Sequence, residues 1–204
     1  MTDTRTTAAS LGGTTLLERA ITYTLGSLHL VTSEALSRRT PCLGWDLRSL
    51  LVHMDDSLLA MNEALGLGRV ELGHAGLAVH DGDRALEMIA SLRSRACALL
   101  GTSAADGHDL ISIGGRPLTP GIVTSAGAIE IAVHGWDVAR ACGRHRPISP
   151  SLAEELLELA PFFVTDADRP TRFAAPIDVP PLAAPGDRLV AFLGRHPYRA
   201  PGAP

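Results

Sequence analysis

Apolar residues recur at helical spacing in four stretches of the chain, separated by polar, glycine-bearing or proline-bearing segments. The first stretch, Thr14 to Glu34, carries Leu17, Ala20, Ile21, Tyr23, Leu28 and Val31, with Gly26 interrupting it. Pro41 and Gly44 then break the chain, and Asp46 stands as an N-cap for a second helix, Leu47 to Leu65. Its stripe is Leu50, Met54, Leu58 and Met61. Gly66 to Val79 is glycine-rich and reads as a long loop. Asp81 or Asp83 starts a third helix that ends near Leu100. Thr119 and Pro120 form an N-cap and N1 pair opening a fourth, which closes at Gly143.

The remaining elements are shorter. "LISIGGRPL" (Leu110–Leu118) reads as a short strand and a turn. Ser149-Pro150 opens a helix to about Phe163, and Asp187 caps a last one, "RLVAFLG". The proline-rich stretch between them holds at most an edge strand at Ala175–Val179. The pattern predicts an all-α fold: a four-helix bundle with a short extra helix, a proline-rich C-terminal segment and at most one small edge strand pair. We expect a single domain over 13–197, flanked by flexible residues 1–12 and 198–204.

Composition sharpens this picture. Hydrophobic residues make up 46% of the chain and aromatics only 4%, so the core must be built from Leu, Val, Ile and Ala, which suits helices. The net charge of −4, with no basic run, gives no footprint for a nucleic-acid partner. The start, "MTDTRTTAASLGG", lacks the apolar core of a signal peptide, and no run approaches membrane-spanning length, so the expected location is cytoplasmic, without a membrane partner. Cys42, Cys97 and Cys142 are odd in number and widely spaced, which argues against a disulfide framework.

One stretch does not fit a plain core helix. "GAIEIAVHGWDVARA" (Gly127–Ala141) is small and apolar, yet Glu130 and His134 share one stripe a turn apart. A carboxylate is almost never fully buried unless paired. Val123, Ala126, Gly127 and Ala141 share or flank the stripe, and such small side chains leave space for a cofactor. The second helix carries a similar anomaly, His53, with Ser57 and Ala60 on its face. Two imidazoles and a carboxylate suit a divalent transition metal and leave a coordination position open. Pairing of Glu130 with Arg140 or another arginine is the structural alternative.

These motifs are also a resemblance. "TPCLGWDLRSLLVH" (Thr40–His53) and "IEIAVHGWDVARACG" (Ile129–Gly143) resemble two signatures of the DinB-like superfamily, in the branch containing the N-terminal domain of mycothiol-dependent maleylpyruvate isomerase. "DRLVAFLGRHP" (Asp187–Pro197) resembles the C-terminal signature of a short, single-domain actinobacterial subgroup of that branch. The resemblance implies an up-down-down-up bundle with a metal held by His53, Glu130 and His134. Zinc is the expected ion, with nickel(II) and iron(II) as alternatives. It further implies an enzyme that brings a low-molecular-weight thiol such as mycothiol to a small electrophile, by S-transfer or isomerisation. A cofactor-binding surface of Ser57, Ala126, Gly127 and Ala141 is expected, while no catalytic residue is singled out. A metal-dependent hydrolase and a non-catalytic metal- or ligand-binding module stay open as other readings, as does a homodimer. The isomerase has a further C-terminal domain, whereas only about sixty residues follow the fourth helix here, so its reaction is not carried over.

The other candidates read as ordinary. Trp45 and Trp136 are expected as packing anchors near the bundle ends. Asp137 could support a ligand from behind, cap, or pair with Arg140 or Arg48. Cys42 reads as part of a structural turn, Cys97 and Cys142 have no partner in sequence, and His29 reads as an ordinary helix residue. His74 and His80 are read as solvated or at a pocket mouth.

Overall fold

Four long helices carry the architecture of the computed structural model: α1 (Asp3–Leu28), α2 (Leu47–Leu67), α3 (Ala85–Thr102) and α4 (Pro120–Ala141). Two shorter ones, α5 (Pro150–Phe163) and α6 (Pro185–Phe192), follow. The structure describes residues 3–71, 85–102, 108–169 and 171–199, with side chains from Leu16 onward. The proposed starts at Asp81 or Asp83, most of the Gly66–Val79 loop, and His74 and His80 lie outside the described residues.

Residue pairs fix the helix directions. Leu17 approaches Gly127, and Thr24 approaches Gly135 with its hydroxyl donating to the Ile131 carbonyl, so α1 and α4 run parallel. His53 meets Glu130 while Met61 meets Gly127, so α2 runs against α4. Ser91 and Arg95 both donate to Asp55, while Thr102 lies against Gly66, so α2 and α3 run parallel. The order is therefore up, down, down, up, as the resemblance implied. Parallel neighbours such as α2 and α3 cannot be joined by a tight turn, which explains the long glycine-rich connection between them.

The helix ends have local causes. The Asp46 carboxylate accepts from Ser49 N–H at 2.8 Å, and Gly68, with a φ of 68°, closes α2 in the left-handed conformation. Helix α1 starts well before Thr14, since no proline interrupts residues 3–28, and stops at Leu28 instead of Glu34. Leu30 and Val31 bond back only three residues, to Ser27 and Leu28, which tightens the last turn and ends it. Asp187 does not cap α6. Ala184 is the N-cap and Pro185 the first helical residue, which puts Asp187 in the first turn.

The sheet is larger than expected, and the edge strand at Ala175–Val179 is not part of it. β1 (Arg69–Val70) pairs parallel with β2 (Ile111–Ile113), which pairs antiparallel with β3 (Arg116–Leu118) across Gly114 and Gly115, both at positive φ. The short strand read from "LISIGGRPL" is β2, and the segment after its turn forms a second strand, β3; β1 is too short to show an alternating pattern. No strand forms at Ala175–Val179, where Pro176 and Pro180 supply no donor and only Ile177 N–H bonds across, to Ala191.

Leu17, Ile21, Leu50, Leu51, Leu92, Leu99, Ile111, Leu152, Leu156 and Leu189 are fully buried, so the aliphatic core deduced from composition runs from the bundle into α5 and α6. No helix among the described residues is long and apolar enough to cross a membrane.

Candidate metal centre

Helix α4 is buried along nearly its whole length, which two small-residue contacts permit. Gly135 admits Thr24 of α1, and Gly127 admits the Met61 side chain of α2. Three polar side chains are thereby drawn into the bundle at Glu130, His134 and Asp137. The second helix, set by the Asp46 cap, brings His53 and Ser57 opposite them.

Glu130 Oε1 is the meeting point. It lies 2.6 Å from His53 Nε2, 3.2 Å from His134 Nε2 and 3.4 Å from the Ser57 hydroxyl, which donates to it. The donor atoms of His53, Glu130 and His134 all lie within 4.8 Å of one another. A tetrahedral ion with ligand bonds of about 2.1 Å holds its donors about 3.4 Å apart, so the spacing is of the right order and two imidazoles with one carboxylate are the right chemistry. The residues present fit a divalent transition metal. The Glu130 and His53 side chains remain about one third exposed, at 35% and 37%, whereas His134 is buried.

A second layer stands behind His134. Its Nδ1 lies 3.0 Å from Asp137 Oδ2, and the same oxygen accepts from Arg195 Nη2 at 3.1 Å and from the Cys42 thiol at 3.2 Å. Arg195 also reaches Cys42 Sγ at 3.0 Å and the Leu193 carbonyl at 2.9 Å. With Nδ1 turned to a carboxylate, the ring presents Nε2 to the site, the arrangement by which a ligating histidine is oriented.

The electrostatics follow the same layering. Burial would raise the Glu130 carboxyl, but the facing His134 charge and hydrogen bonds from both imidazoles hold it well below the usual carboxylate range. Burial works against charge on His134, yet the Glu130 carboxylate and hydrogen bonds with Asp137, Cys42 and Glu130 lift it well above the usual imidazole value. Burial likewise opposes the Asp137 charge and is outweighed by Arg195 and His134, which keep that carboxyl low. Burial and the Asp137 charge push the Cys42 thiol up, so it is not an activated nucleophile.

The sequence candidates divide. His53, Glu130, His134 and Ser57 come together. A small, mostly apolar pocket, partly open to solvent, lies beside Glu130, His134 and Ser57 between Ile21, Thr24, Leu25, Leu28, Met54 and Leu58. Ala126, Gly127 and Ala141 do not line it: the space at Gly127 is filled by Met61, and Ala141 is packed into the core. Gly127 and Ala141 are thus taken up by packing in this structure. Glu130 faces the two histidines instead of Arg140, which lies over the Trp136 ring. Trp136 is a buried anchor as expected, but Trp45 is 37% exposed and forms the site's outer edge, with its ring 4.8 Å from His53 and 6.4 Å from His134 between centroids. His29 lies away from the site, against Arg93.

Two residues were missed. Cys42 was read as structural and Arg195 not considered, because their contacts join segments 95 and 58 residues distant from Asp137. Both lie inside the quoted signatures, Cys42 in Thr40–His53 and Arg195 in Asp187–Pro197, and Gly194, at φ 81°, turns the chain after α6 so that Arg195 points back inward.

The family of the mycothiol maleylpyruvate isomerase N-terminal domain matches residues 17–139, well over half of the chain, and the protein belongs to it. The match spans α2, α3 and the metal-ligand candidates and stops before α5 and α6. Searches of curated proteins and of solved structures returned no match.

Proposed function

We propose that this member of the mycothiol maleylpyruvate isomerase N-terminal domain family binds one divalent transition metal through His53, Glu130 and His134 and uses it to join or isomerise a small electrophile with a low-molecular-weight thiol such as mycothiol. The observation that carries the reading is the convergence of three metal-ligating side chains from two facing helices, with a carboxylate behind one of them. Bound there, the ion would lower the pKa of a thiol brought to it and so supply a nucleophile near neutral pH.

The chain's own groups set the conditions for that chemistry. Glu130 stays ionised across the physiological range and offsets the ion's charge. Asp137 faces His134 Nδ1 and turns Nε2 toward Glu130, where an ion would take the place of its proton. Ser57 donates to Glu130 and limits its rotation. Ile21, Met54 and Leu58 exclude water from the inner side, while Trp45 and His53 leave the outer side open to substrate. Three protein ligands leave a coordination position that a water can take in place of a thiol, which gives a second reading, a metal-dependent hydrolase with the same ligands.

Metal analysis of the purified protein is expected to give about one divalent ion per chain. With cobalt in its place, a small thiol at millimolar concentration should add a sulfur-to-metal charge-transfer band. Because Cys42 lies beside His134, that measurement belongs in a Cys42→Ser background, where any sulfur signal comes from the added thiol. A cobalt-loaded protein without the band removes the thiol reading and leaves the hydrolase.

A further inference from the structure

The Asp137–Arg195 pair is an odd way to stabilise a bundle. Asp137 is 0% exposed and Arg195 only 8%. Asp137 Oδ1 and Arg195 Nε are both buried and take no partner among the described residues, since the guanidinium meets one carboxylate oxygen instead of forking across two. A buried ion pair with two polar atoms unmatched costs desolvation that packed apolar side chains would avoid. What the pair does supply is direction. Oδ2 collects the Arg195 guanidinium, the Cys42 thiol and His134 Nδ1, and a carboxylate clamped on two sides can turn little against the imidazole.

The same cluster answers a second question. Cys42, His134 and Asp137 are themselves spaced to hold a cation. One is already there: the Arg195 guanidinium, 3.0 Å from the thiol sulfur and 3.1 Å from the carboxylate. Arg195 fills that position with a fixed charge and leaves His134 one face for a metal.

From this geometry we infer that Arg195, in the C-terminal segment beyond the family match, is a positioning residue of the metal centre: it clamps Asp137, which orients His134 Nε2 toward His53 and Glu130. The inference rests on the metal reading above. The C-terminal segment is then part of the site. Removing Arg195 acts on metal affinity through two intervening side chains, with no direct contact to the ion.

The test compares cobalt and zinc affinity, by competition with a chromophoric chelator, in wild type, Arg195→Met, Arg195→Lys and Asp137→Asn. Loss of the clamp should weaken binding about tenfold in Arg195→Met and in Asp137→Asn and alter the cobalt visible spectrum. Arg195→Lys keeps the charge but reaches fewer partners, so it should recover part of the affinity and the wild-type spectrum. A merely structural role would move thermal stability while leaving spectrum and affinity alone. Wild-type affinity and spectrum in folded Arg195→Met, or in folded Asp137→Asn should the arginine variants not fold, overturns the inference. Wild type that takes up no cobalt overturns the metal reading itself, a result distinct from both.

Discussion

Toward α1, helix α4 offers Gly135 and the Ile131 carbonyl to Thr24, and Gly127 to Leu17; the contacts are small, apolar or neutral. Toward α2 and the chain's C-terminal segment, it turns Glu130, His134 and Asp137, each held by a charged or ionisable partner. The two sides lie on the same twenty-two residues yet answer to different physics. On the α1 side, stability comes from close approach, and any added atom is resisted. On the α2 side, the groups are costly to bury and are tolerated because each neutralises another. Substitutions on the polar side are therefore expected to remove the metal along with stability, and those on the α1 side to cost stability alone.

The largest break in that comparison is His134→Ala. His134 joins both layers of the polar side, so its loss should take metal content from about one ion per chain to none. It also leaves Asp137 without one of its partners and Glu130 without the imidazole of its own helix, so the metal-free protein should lose roughly 3 kcal/mol. Metal analysis with urea unfolding measures both. Full metal retention in this variant and in His53→Ala refutes the ligand set.

The apolar side breaks differently. A Cβ at position 135 would overlap the Thr24 hydroxyl and come within 3.1 Å of the Thr24 Cα, so the α1 backbone has to move. Gly135→Ala should cost about 2 kcal/mol, even after the gain in helix propensity, with about one metal still bound per chain. Gly127→Ala sharpens the contrast. Its Cβ would sit 2.5 Å from the Met61 methyl, the far end of a flexible side chain that can swing aside, so the change should stay within about 0.5 kcal/mol. Equal losses in the two variants would show that the α1 contact is no tighter than the α2 contact.

The two sides were not equally legible in the sequence. Helical periodicity gave the bundle, because aliphatic spacing is written locally, one turn at a time. The Glu130–His134 pair was visible for the same reason, being one turn apart on one stripe. What could not be read was the meaning of the small residues. Gly127 and Ala141 suggest room when seen alone, and only the approach of Met61 and the core shows that the room is taken. Arg195 and Cys42 were hidden for the opposite reason. Both lie in recognisable signatures, but their importance lies in contacts between distant segments, and a signature does not say what its cysteine or arginine meets. Trp45 was taken for an anchor because tryptophan usually is one. Here the turn before α2 ends at the open edge of the site, which leaves the ring beside His53.

The pH dependence separates the two sides by its sign. In the metal-free protein the His134 pKa is raised. A group raised on folding contributes stability that is complete below its unfolded value of about 6.5 and is lost as pH rises through the folded value. The Glu130 and Asp137 carboxyls are lowered, so their contribution is lost only on acidification, well below this range. Between about pH 6.5 and 8 the metal-free protein should therefore melt a few degrees lower as pH rises. Metal uptake has the opposite dependence, because an imidazole must shed its proton to ligate, and binding to the folded state raises stability in proportion to affinity. At a fixed metal concentration the loaded protein should gain stability over the same interval. Gly135→Ala should displace both lines downward and leave their slopes unchanged, since no titrating group lies in the Thr24 contact. Thermal melts of wild type and Gly135→Ala, each with and without metal, supply the four lines. Parallel slopes with and without metal would mean that His134 does not exchange its proton for an ion, and the polar side of α4 would then be an ion-pair network holding the bundle together.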